Sequence, residues 1–261
     1  IPAGTGTGTG YQIRVISSSP GVTGSSSAPF SITLAEGVCS CFEIESILVD
    51  ACDGTDNEEG ENEMFRFQVG PNPIDTADIE VDWPNNPWRT ICQDATTAGI
   101  VSAINATITG GGMLVEPVNG VIPANAEVMF FTSTAFDHTL FDFSLLNYTL
   151  YVVFQCPGNT AGHFVNNSSN PIGTIRTLDV TISGCGSDQV SYDAYYLYNG
   201  DGATVDFDIP GNPTYSPSGN CTTVPIFPLP VSLIDFTATC EDNGITLHWS
   251  TASETNNDYF I

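Results

Sequence analysis

The chain has 261 residues, with 30 acids against four arginines and no lysine, so its formal net charge is −26. That balance excludes nucleic acid and anionic membrane as partners, because both need clustered cations to neutralise phosphate. Disorder is excluded as well, since 41% hydrophobic and 10% aromatic residues suffice for a packed core, and no apolar run of about 18 residues predicts insertion into a membrane.

In chain order, residues 1–36 form a Gly, Ser and Thr-rich piece with strands predicted at 11–16 and 30–34. A central body follows at 37–223. Its first strands are predicted at 42–47, 64–69 and 78–83, the last placing Ile79, Val81 and Trp83 on one face. Helical spacing then takes over at 94–108, where Ile100, Val101, Ile104 and Ile108 share a stripe and Asp94 or Thr96 serves as N-cap. Further strands are predicted at 127–132, 149–155, 175–183, 189–197 and 203–208, separated by Gly and Pro turns such as Gly70-Pro71-Asn72-Pro73. The segment 224–261 opens with a proline-stiffened linker and ends in strands at 231–239 and 245–250. Many short strands with one or two short helices predict an all-β sandwich flanked by partial sandwich modules. No period of 20–50 residues marks a solenoid.

Eight cysteines stand at 39, 41, 52, 92, 156, 185, 221 and 240. Zinc is the alternative to disulfides, but no paired C-x-x-C spacing is present, so disulfides and therefore export are expected. Cys39 and Cys41 point to opposite faces of a strand and are not expected to bond each other. The first residues lack the features of a signal peptide and the last stop within a strand pattern, so both ends are read as cuts through a longer secreted protein.

The segment Leu229-Pro-Val-Ser-Leu-Ile-Asp-Phe-Thr-Ala238, continued by Leu247-His-Trp-Ser-Thr-Ala-Ser-Glu-Thr-Asn-Asn-Asp-Tyr-Phe260, resembles the module that precedes the sorting domain in secreted Bacteroidota proteins of the type IX secretion kind. That likeness covers about the last thirty residues. Residues Tyr11-Gln-Ile-Arg-Val-Ile-Ser-Ser-Ser-Pro-Gly-Val-Thr-Gly24 resemble the closing strands of an immunoglobulin-like repeat from such proteins. The central body, with Ile47-Leu-Val-Asp-Ala-Cys52, Gly60-Glu-Asn-Glu-Met-Phe-Arg-Phe67 and Val121-Ile-Pro-Ala-Asn-Ala-Glu-Val-Met-Phe-Phe131, is similar to lamin-tail-like domains, which are immunoglobulin-like β-sandwiches. The resemblance implies a cell-surface location, and it makes Asp75-Thr76-Ala77 a candidate O-glycosylation sequon with Thr76 as acceptor.

Three candidate sites remain. The acidic loop at 50–63 offers Asp53, Asp56, Asn57, Glu58, Glu59 and Glu61, hard oxygens suited to calcium, although its spacing is not that of an EF-hand and equally describes a solvated loop. Asp201, Asp206 and Asp208 form a second acidic group, better explained as a plain solvent face. Trp83 and Trp88, on the loop Trp83-Pro-Asn-Asn-Pro-Trp88, are candidates for glycan contact, because two tryptophans on such a loop are hard to bury. His138, His163 and His248 stand in no catalytic motif, so no enzymatic activity is expected. The expected function is that of a non-catalytic structural or adhesive subunit of the cell surface, self-assembling into a filament by strand addition between copies. The alternative is a carbohydrate-binding or calcium-dependent accessory module of a secreted hydrolase, with surface glycans as partners.

Overall fold

The computed structural model describes residues 41–52, 59–165, 172–197, 201–208, 211–216 and 224 in full. It describes the backbone of strands at 8–11, 16–18, 21–23, 30–32, 231–241 and 244–254. The chain divides into two compact units, Cys39–Ile226 and a second made of Ile1–Val38 with Phe227–Ile261. In the second unit the first strands are β1 (Gly8–Tyr11), β2 (Ile16–Ser18), β3 (Gly21–Thr23) and β4 (Phe30–Ile32). β1 pairs with β4 and β2 with β3, both antiparallel. Of the strand expected at 11–16, Tyr11 closes β1 and Ile16 opens β2, while residues 12–15 lie outside the described residues.

The larger unit begins with β5 (Phe42–Asp50), β6 (Met64–Val69), β7 (Ile74–Asp75), β8 (Ile79–Asp82) and β9 (Ile91–Cys92). Helix α1 (Ala95–Asn105) follows, then β10 (Met113–Val115), β11 (Val121–Ile122), β12 (Glu127–Phe131) and β13 (Thr149–Gln155). The last strands are β14 (Ile175–Ile182), β15 (Gly186–Asp193), β16 (Ala203–Phe207) and β17 (Pro213–Ser216). β15 stops earlier than the alternation predicts, because the Asp193 carboxylate accepts from the Tyr195 amide and starts a 3-10 turn.

A large sheet runs in the order β10-β13-β12-β6-β5-β16-β17, with β9 beside the far end of β13. A second sheet is ordered β15-β14-β8. Strand alternation gives the large sheet two different faces. Phe65, Phe67, Val128 and Phe130 point one way and bury against Ile79, Val81, Leu178, Val180 and Val190 of the small sheet. Met64, Met129, Phe131 and Phe154 point the other way, into a second core completed by Ile100, Val101 and Ile104 of α1 and by Phe136, Phe141 and Phe143. The architecture is an all-β sandwich carrying a helical layer on its outer face. β13 runs parallel to both β10 and β12, and parallel neighbours need long crossovers, which the segments 116–148 and 132–148 supply.

The helix is shorter than its hydrophobic stripe predicts. Asp94 caps it, accepting from the amides of Thr96 and Thr97 while Thr97 answers with its own hydroxyl, which is a capping box. At the other end the Asn105 side chain bonds both backbone groups of Leu114 and ties the helix to β10. Asp94→Ala is expected to lower the melting temperature, whereas Asp94→Asn, which keeps an accepting oxygen, retains most of it in thermal denaturation followed by circular dichroism.

Cys41 bonds Cys185, Cα to Cα 5.6 Å, joining the start of β5 to the β14–β15 turn and so stapling the two sheets. Cys92 bonds Cys156, Cα to Cα 4.9 Å, between β9 and the end of β13. Cys52 is disulfide-bonded as well. Cys41 therefore does not bond Cys39, as expected, and Cys39 itself lies outside the described residues.

The chain closes with β18 (Val231–Glu241) and β19 (Gly244–Glu254), an antiparallel hairpin of two 11-residue strands. Its register sets Phe236 opposite Trp249, Ala238 opposite Leu247 and Cys240 opposite Ile245. No helix among the described residues is long and apolar enough to cross a membrane.

Candidate functional site

The Trp83–Trp88 loop joins β8 of the small sheet to β9 of the large one and is held from within. Asn85 and Asn86 donate their side-chain amides to the Gly162 carbonyl at 2.9 and 2.7 Å, and the Asn85 backbone donates to His163 O. The segment 159–163 therefore lies directly against the tryptophan loop. It is pinned from the other side too: a Cβ on Gly60 would collide with the Ala161 carbonyl, so only glycine permits that approach.

This clamp buries Trp83, contrary to expectation. The residue is 5% exposed, its ring lies 5.7 Å from Phe65 and 5.8 Å from Phe130, and its Nε1 donates to Gln155 Oε1 at 2.8 Å. A sugar has no face of Trp83 to stack on. The physical reason is that the proline-rich loop turns inward at Trp83, where Gln155 satisfies the one polar atom of the indole. Trp88 is different, being half-buried with its ring 6.0 Å from Phe130.

Beneath the loop lies a polar group that sequence reasoning missed. Glu63 and His163 are both fully buried. Glu63 Oε2 accepts from the His163 backbone at 2.6 Å and faces the ring Nδ1 at 3.2 Å, while Oε1 accepts from Phe164 N at 3.1 Å. The histidine tautomer follows from its neighbours. Because Gln155 Oε1 takes the indole proton, the Gln155 amide nitrogen must face His163 Nε2, 2.9 Å away, so Nε2 is an acceptor and the proton sits on Nδ1. Burial depresses the His163 ring to about 4, the Gly60 carbonyl offsetting part of this and the Arg89 charge adding to it. Burial also raises the Glu63 carboxyl well above the usual range, against the pull of its two backbone donors. The pair looks like a catalytic dyad on paper, but His163 has no exposed surface and its Nε2 is occupied by Gln155. No sequence signal could have found it, since the partners are 100 residues apart.

A second polar group sits where the helical layer ends on the outer face of the large sheet. Arg66 reaches Glu45 Oε2 at 2.9 Å and Glu127 Oε2 at 3.7 Å, with Tyr148 and Asp206 close by. A bulge in β5 places both Glu45 and Ser46 opposite Arg66. Burial raises Glu45 to about 7, Arg66 holding it down and Glu127 pushing it up. Asp206 is therefore not on a plain solvent face: it is half-buried near Arg66, and burial raises its carboxyl.

Of the calcium candidates, Asp53, Asp56 and Glu58 lie outside the described residues. Glu61 is 8% exposed in the 3-10 turn Glu59–Glu61, so it is buried rather than on an open loop. Among the described residues no group of three or more His, Cys, Asp and Glu side chains is placed to hold a metal. Thr76 is half-exposed and opens a 3-10 turn that Asp75 caps. The structure brings it to Trp88. Both line a surface cleft of about 310 Å³ between β8 and β9, together with Ile79, Glu80, Thr90 and Gln93. Comparisons of the chain with protein-family models, with curated proteins and with solved structures find no match.

Proposed function

We propose that the protein is a non-catalytic structural or adhesive subunit of an exported, cell-surface protein, and that copies of it assemble through strand addition. The observation that carries this reading is the β18–β19 hairpin: two 11-residue strands that, among the described residues, pair only with each other. Two such strands span about 36 Å and offer two long edges of unsatisfied backbone groups. Open strand edges of that length are templates for a further strand, so a strand from another copy is a natural completion. The same holds on a smaller scale for β1 with β4 and β2 with β3. Disulfides support an oxidising, extracellular setting. The enclosed His163 supports a non-catalytic role, because a base without solvent access meets no substrate.

The test is electron microscopy beside size-exclusion chromatography with light scattering, on the full chain and on chains lacking residues 1–36 or 227–261. Ordered polymers are expected from the full chain and loss of polymerisation from at least one truncation, with the far-ultraviolet circular dichroism of the central body retained. A full chain that stays monomeric at every concentration, or polymers unchanged by both truncations, would overturn the reading.

A further inference from the structure

We propose that the cleft between β8 and β9 is a binding site for a neutral saccharide, with Trp88 as its stacking wall. This inference is independent of assembly and stands on the cleft alone. Its volume of about 310 Å³ lies at the small end of ligand sites, room for one or two sugar rings. The lining has the mixture a sugar needs. Trp88 and the partly buried Ile91 supply apolar surface for the C–H face of a pyranose, and the hydroxyls of Thr76 and Thr90, the Gln93 amide and the Glu80 carboxylate supply donors and acceptors for its rim of hydroxyls. Glu80 is the one charged group on the wall, and the chain carries −26 overall, so an acidic sugar or a phosphate would be repelled.

The walls are preorganised. β8 is an edge strand of the small sheet, fixed by its pairing with β14. The opposite wall, 88–93, is anchored by the Cys92–Cys156 disulfide and by the bond from Cys156 N to Thr90 O at 2.9 Å. Thr90 is held at φ 64°, a left-handed conformation that a β-branched residue rarely adopts and that persists only where the surroundings impose it. A rigid wall loses little freedom on binding, which favours affinity for a small ligand. The single sulfur-linked loop thus aims Trp88 and Thr90 at the same space.

A tryptophan beside a carboxylate also suits a cationic amine, so the experiment must separate the two. Methyl glycosides of glucose, galactose, mannose and N-acetylglucosamine, and a lysine-containing tripeptide, are to be titrated into the full chain by saturation-transfer NMR and tryptophan fluorescence. At least one glycoside is expected to bind with millimolar affinity, with Trp88→Ala weakening it about tenfold or more and Glu80→Gln and Gln93→Ala each weakening it severalfold. Because Trp88 also packs on Phe130, Trp88→Ala has a folding risk; Glu80 and Gln93 are exposed, and their variants keep the test decisive. Absence of binding by every glycoside, binding unchanged in all three variants, or binding of the tripeptide alone would each overturn the proposal.

Discussion

Replacing Cys41 and Cys185 together by alanine is expected to lower the free energy of unfolding by about 3–5 kcal/mol. The bridge closes a loop of 144 residues, and the nested Cys92–Cys156 bridge, 64 residues apart, shortens the free chain inside it to about 80. Chain entropy for a loop of that size is about 4.5 kcal/mol, gained mostly by restricting the unfolded chain. The position matters as much as the length. Cys185 lies in the turn of the small sheet and Cys41 at the start of β5, and one more link, from Ile44 N to Asp188 Oδ2 at 2.7 Å, crosses the same gap. Losing the staple therefore loosens the seam along which the sheets meet. Urea denaturation of the oxidised double variant against the parent, with the other disulfides intact, reads the difference; a loss under about 1 kcal/mol would mean that the remaining bridges already restrict the unfolded chain.

Glu63→Ala is expected to be comparably damaging, by about 3–5 kcal/mol, because it strands the amides of His163 and Phe164 inside the protein without an acceptor. Glu63→Gln keeps one accepting oxygen and should cost clearly less. The same group predicts a pH dependence. His163 has its pKa depressed to about 4 from 6.5, so the fold prefers the neutral ring while the unfolded chain takes up the proton first. Its contribution is complete above about pH 6.5 and is lost as the pH falls toward 4, by up to about 3 kcal/mol. Glu63 has the opposite sense, since a raised carboxyl pKa favours the fold at low pH and opposes it as the pH rises from 4.5. Comparing the parent with His163→Asn removes the histidine slope alone. The stability gap between them should narrow from pH 6.5 to pH 4, and a constant gap would refute the neutral tautomer.

Local readings succeeded where one element decides its own state. The strands at 64–69 and 149–155 are found at those limits, because alternation and flanking turns are properties of the segment itself. Asp94 is the N-cap because capping needs only the next three residues. Readings of surface and interior failed where another part of the chain decides. Trp83 was expected to be solvent-facing and is buried by Gln155 and by the segment 159–163, more than 70 residues away. Asp206 was assigned to a solvent face, and a cation on β6 draws it into a half-buried group instead. Glu61 was placed on an open loop and lies 92% enclosed by the fold, its exposure being 8%.

The sequence by itself determined that this is an acidic, all-β protein with one or two short helices and cysteines better suited to disulfides than to zinc, because charge, cysteine usage and two-residue periodicity are local or summed quantities that folding does not change. Only the tertiary structure decided which cysteines meet across the sandwich, that Glu63 and His163 share a buried proton relationship, and that Thr76, Glu80, Trp88 and Gln93 surround one cleft. These depend on which strands become neighbours, and that is set by how the two faces of the large sheet are covered, a long-range balance of packing that no window of the chain contains.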